Sequence, residues 1–244
     1  LDAVRRSLPE LPETEIEVRS IAKILGATSD DVHVGTAATE TKLKALSAAG
    51  RLVDYRVVAF ATHGLVAGEI GGLAEPAIVL TLPEKASGAD DGLLTASEVA
   101  ALRLDADWVI LSACNTAAGS SKSAEALSGL ARAFMFAGAR AILVSHWAVE
   151  SEAAVKLTTG ALARIAADQT TGRAEAMRRA MVDLIDNGPP HAAHPAYWAP
   201  FFLVGEGAGS TPSLQGAAYD ADPLIAPSPT YACTLRRVHA QGHF

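Results

Sequence analysis

Residues 108–111, WVIL, constrain this chain more than any other stretch. Four consecutive apolar residues with no polar face suit a strand covered on both sides in a parallel sheet. Ser112 and Ala113 follow, so Cys114 is predicted just past the carboxyl end of that strand. Reactive groups in open parallel sheets gather at this edge, because helices cover both faces and only the loops there leave a crevice. Residues 55–64, YRVVAFATHG, repeat the design and end in His63 and Gly64. If the two strands are parallel neighbours, an imidazole and a thiol emerge at one edge.

The remaining periodicities alternate in the same way. Pro12–Leu25 has acids in its first turn and apolar residues at Ile16, Ile21, Ala22, Ile24 and Leu25, which predicts a helix closed by Gly26. A brief strand is expected at 32–34, then a helix over 39–49 capped by Thr39, with Lys42 and Lys44 on its wet side. Residues 65–75 are Gly-rich and read as a loop at the edge that carries His63. A strand at 77–82 precedes a capping box made by Thr95 and Glu98. Beyond Cys114 the pattern predicts a helix over 123–137 stopped by Gly138, a buried strand over 139–145, helices over 152–167 and 173–186, and a last strand over 198–204. Strands alternating with helices imply an α/β fold, a doubly wound sandwich whose mostly parallel central sheet has helices on both faces.

Composition narrows the function classes. At 244 residues and 50% hydrophobic content the chain is long enough for one sizeable core. A net charge of −7 without any Lys/Arg-rich run argues against a nucleic-acid partner, which needs clustered cations. No apolar stretch is long enough to span a membrane, and the amino end lacks the apolar centre of a signal peptide. Two cysteines make no disulfide framework, so a cytoplasmic, reducing location is expected. After residue 207 the sequence carries Pro212, Pro223, Pro227 and Pro229 with no period of either kind, which predicts an irregular or disordered tail over 208–244.

The blocks FATHG (60–64), DGLLTASEVAALRLDADWVILSACNTAAG (91–119), LSGLARAFMFAGARAILVSHWAVES (127–151) and HPAYWAPFFLVGEG (194–207) resemble a CHAT domain. CHAT domains are caspase- and separase-like modules, commonly carried with tetratricopeptide repeats in bacterial proteins. His63 and Cys114 are 51 residues apart, and a histidine about 50 residues before the cysteine is a caspase spacing. The resemblance implies a caspase-like fold over 1–207 and a cysteine endopeptidase that needs no cofactor. It also implies a protein or peptide substrate and an upstream repeat domain in the full-length protein. The chain starts at Leu1, and the strand that usually opens such domains has no counterpart in it. The resemblance therefore leads us to expect a gap in the sheet, which the proline-bearing tail cannot fill.

By the same resemblance His63 and Cys114 form a catalytic dyad, and the backbone N–H groups of Gly64 and Cys114 bind the oxyanion. No third residue is demanded, and nothing singles out an Asp or Asn to orient His63. An isolated cysteine beside a strand is commonly a small buried hydrophobe, which suits Cys233 better than Cys114 with its polar neighbours Ser112, Asn115 and Thr116. His146 and Trp147 end the next strand, where they either line the cleft or, for Trp147, cap the core. His63, Cys114 and His146 lack the short paired spacing of zinc ligands, so no metal is expected. The rival to an enzyme is a catalytically silent interaction module that keeps the fold.

Overall fold

The computed structural model describes residues 8, 11–113, 122–145, 147, 149–208, 230–233 and 236–239. Its centre is a four-stranded sheet of β1 (Val57–Thr62), β5 (Trp108–Ala113), β6 (Ala141–Ser145) and β7 (Phe201–Gly205), in that spatial order. The first three run parallel, and β7 pairs antiparallel with β6. A second, three-stranded antiparallel sheet joins β2 (Gly64–Leu65), β3 (Ala77–Val79) and β4 (Leu93–Thr95). Leu65, the first residue of the expected loop, therefore belongs to a strand.

Helices cover both faces because each central strand alternates two apolar sets. Val57, Ala59, Trp108 and Ile110 turn towards α1 (Pro12–Leu25), α5 (Ser151–Ala167) and α6 (Arg173–Asn187). Val58, Phe60, Val109 and Leu111 turn the other way, towards α2 (Glu40–Ala48), α3 (Ala96–Ala100) and α4 (Lys122–Ala137). The Phe60 and Phe134 rings meet at 5.2 Å between centroids, tilted by 60°, an arrangement that adds about 0.5–1.5 kcal/mol to their burial. This is the doubly wound sandwich that the sequence predicts.

Local signals set most element ends. Gly26 closes α1 with φ 72°, and the Thr39 hydroxyl caps α2 by accepting the Lys42 N–H at 3.1 Å. At Gly138, φ is 113° and a Cβ would sit 2.1 Å from the Leu104 carbonyl oxygen, so only glycine fits where α4 turns into β6. Three expectations change. Residues 32–34 form no strand, since a strand needs a ladder partner and none of the described strands pairs with them. The last strand starts at Phe201, because His194 caps and Pro195 opens a short helix, α7 (Pro195–Trp198). Lys44 is not simply on the wet side: it donates to Glu40, to Glu98 at 2.8 Å and to the Ala89 carbonyl at 2.9 Å, tying α2 to α3 and to the loop before β4.

The stretch after residue 207 was expected to be irregular throughout, yet Thr230–Cys233 (β8) and Arg236–His239 (β9) form an antiparallel hairpin. It lies against β1 and α1 without joining the ladder of the central sheet. The expected gap in the middle of the sheet is not found, since the four central strands are contiguous, and the hairpin instead lies along the edge strand β1.

Candidate active site at the carboxyl edge

β1 and β5 run in register from Val57 opposite Trp108 to Thr62 opposite Ala113, so the two strands end level. His63 is the next residue after β1, and it is buried, with 7% of its surface exposed. Its backbone is fixed by the second sheet. The Val79 N–H donates to the His63 carbonyl at 2.9 Å, and the Thr62 hydroxyl donates to the Val79 carbonyl at 2.6 Å. Since that ladder bond joins 63 and 79, Gly64 and Ile78 form the adjacent non-hydrogen-bonded pair. The Gly64 N–H is therefore turned away from β3.

Cys114 follows Ala113 directly and lies outside the described residues, as does His146. Trp147, just past β6, is 40% exposed. That exposure disfavours a role in capping the core and leaves the ring beside the carboxyl edge. Among the described residues no group of three His, Cys, Asp or Glu side chains is placed to hold a metal ion, and no helix is long and apolar enough to cross a membrane.

One residue of this edge escaped the sequence reading. Glu17 on α1 is only 2% exposed, whereas Ile16, assigned to the apolar face, is 61% exposed. Position 17 shares a stripe with Ile21 and Leu25 at intervals of four, and this spacing was the available signal. The carboxyl receives the Thr158 hydroxyl of α5 at 2.7 Å and hydrogen-bonds the Ser112 side chain of β5. Burial, only partly offset by these two hydroxyls, pushes its pKa up from 4.5 to about 7. A titratable group thus sits beneath the strand end from which Cys114 continues.

A doubly wound sheet with parallel strands ending level at one edge, and a histidine held there, has the architecture of the caspase-like proteins. A family model described as CHAT domain matches residues 2–206, and the chain belongs to that family. Tetratricopeptide repeat protein 28 of Mus musculus is 29% identical over 244 residues, an alignment that takes in 85% of this chain and 9% of the mouse protein. The chain thus spans less than a tenth of the length of that relative.

Proposed function

We propose that this domain is a cysteine endopeptidase that cleaves a protein or peptide substrate through a dyad of His63 and Cys114. The observation that carries the reading is the level end of β1 and β5, with Thr62 opposite Ala113 and a buried His63 next in the chain. One peptide unit past those partners carries the chain only about 3.8 Å further, so residues 63 and 114 start from neighbouring strands. The imidazole takes the thiol proton, and the sulfur adds to the scissile carbonyl. The tetrahedral oxyanion is held by the N–H groups of Gly64 and Cys114. The C–N bond then breaks as the imidazolium gives its proton to the leaving amine. Water, deprotonated by His63, attacks the thioester and restores the thiol. Gly64 suits its part because its N–H faces away from β3 and its missing side chain lets a substrate approach the backbone closely.

In its full-length protein the domain works beside tetratricopeptide repeats, a reading supported by the name of its mouse relative. A reducing compartment such as the cytoplasm keeps the thiol available. Cleavage of a peptide library in reducing buffer tests the assignment. Cys114→Ala abolishes cleavage, and His63→Ala slows it by about 10²–10⁴-fold, the range for a lost general base. A wild-type chain that cleaves nothing, with Cys114 no more reactive to alkylation than Cys233, would make the domain a silent interaction module instead.

A further inference from the structure

Among the described residues, the sealed carboxyl of Glu17 is a buried titratable group at this edge that the dyad chemistry does not use. Three elements meet at it: α1, which carries it; α5 through Thr158; and β5 through Ser112. Trp108 and Ile110 of β5 pack with α1 in one core cluster, and Ser112 continues their alternation to reach Glu17. Cys114 is two residues beyond Ser112 in the chain.

The hydroxyl geometry defines two bonding states. Thr158 Oγ1 lies 2.7 Å from the Glu17 carboxyl and 2.9 Å from the Ala154 carbonyl, yet a hydroxyl has one proton to give. When Glu17 is neutral it donates to Thr158, Thr158 donates to Ala154, and Ser112 donates to the second carboxyl oxygen. When Glu17 is ionised it can only accept, so Thr158 must turn its proton away from Ala154. Loss of one proton rearranges the contacts that hold the end of β5.

We propose, resting on the Cys–His reading above, that Glu17 is a positioning residue for Cys114, pinning the carboxyl end of β5 between α1 and α5 through Ser112. Ionisation of Glu17 draws both hydroxyls onto the carboxylate at the expense of the Thr158–Ala154 bond and sets a negative charge behind the strand end, where it opposes thiolate formation. The elements around the carboxyl carry few other candidates for such a response. Glu13, Glu15, Arg19 and Lys23 of α1 and Glu152, Lys156 and Arg164 of α5 are all at least partly exposed, β9, which packs against α1, adds Arg236, Arg237 and His239, and β1 leads into the buried His63.

The test is the rate of iodoacetamide labelling at Cys114 against pH, read peptide by peptide with Cys233 as internal reference. It is run on the full chain as wild type, Glu17→Gln, His63→Ala and the double variant. Glu17→Gln keeps the shape and the hydroxyl bonds but cannot ionise. It is expected to label about threefold faster than wild type above pH 7 and equally fast below pH 6. The same pH-selective difference should separate the double variant from His63→Ala. A structural role alone would change melting without this selectivity. Superimposable profiles of wild type and Glu17→Gln would overturn the positioning role. A His63→Ala profile identical to wild type would instead overturn the dyad, so the two failures are distinguishable.

Discussion

At the amino edge of the sheet Asp107, directly before β5, receives Arg56 at 2.7 Å and Arg140 at 3.1 Å, with Arg173 at 3.8 Å. At the carboxyl edge Glu17, just as thoroughly buried, meets the hydroxyls of Thr158 and Ser112. The same functional group is thus buried at both ends of the strands, with charge compensation at one end and hydroxyls at the other. A carboxylate buried among guanidinium groups fixes structure, because losing the partner would leave desolvated cations. A carboxyl buried among hydroxyls sits near its own neutral point and can change state at ordinary pH. Rigidity at one edge and responsiveness at the other is the division expected where chemistry belongs to the carboxyl edge.

The largest way to break this contrast is Asp107→Ala. It removes the carboxylate that three arginines share, of which Arg173 keeps only 15% side-chain exposure, and burial already pulls the Arg173 pKa down. The loss of stability should be about 3–5 kcal/mol, the range for removing one partner of a buried pair. It should be measurable by urea unfolding. A cost under about 1 kcal/mol would mean that the network is no more than a solvated surface pair.

The second effect is smaller and depends on pH. Glu17 has its pKa raised to about 7 from 4.5 in the open chain, so between those values the folded state holds a proton that the unfolded state has released. Stability attached to this group is complete below about pH 4.5 and is lost as pH rises through about 7. At pH 8 wild type should trail Glu17→Gln by up to roughly 3 kcal/mol, and near pH 4 the difference should close. Thermal or urea melts at the two pH values check it, and a difference independent of pH would refute the titration.

This pairing also shows what a sequence can and cannot disclose. The apolar runs of β1, β5 and β6 and the stops at Gly26 and Gly138 were legible, because burial on both faces and positive φ leave direct marks in residue type. So were the Thr39 cap and the reciprocal bonds of Thr95 and Glu98. His63 was placed correctly at a strand end, since its position follows from the strand before it. Glu17 was not, because a charged residue between Ile16 and Val18 reads as the wet side until α5 and β5 supply its hydroxyls. Residues 32–34 carry strand propensity, but a strand exists only through a neighbour that local sequence cannot name. The Asp107 network was equally hidden, as its arginines come from three distant places in the chain.

The smallest prediction sharpens the comparison within the amino edge itself. Arg140 bridges inward to Asp107, with 5% side-chain exposure, and outward to Asp105 at 2.6 Å, with 52%. Water and salt reach the outer partner, so its attraction is screened, while the inner partner is shielded on most sides. Asp105→Asn keeps a hydrogen-bond acceptor for the guanidinium and removes only the charge. It should therefore cost no more than about 1 kcal/mol, and most of that should vanish in 1 M salt. Asp107→Asn, compared in the same urea series, should keep most of its cost at high salt, because no counterion can replace a charge inside the core. If both variants lost their effect equally in salt, the amino edge would behave as a solvated surface network, and the contrast with Glu17 would lose its charge-compensated half.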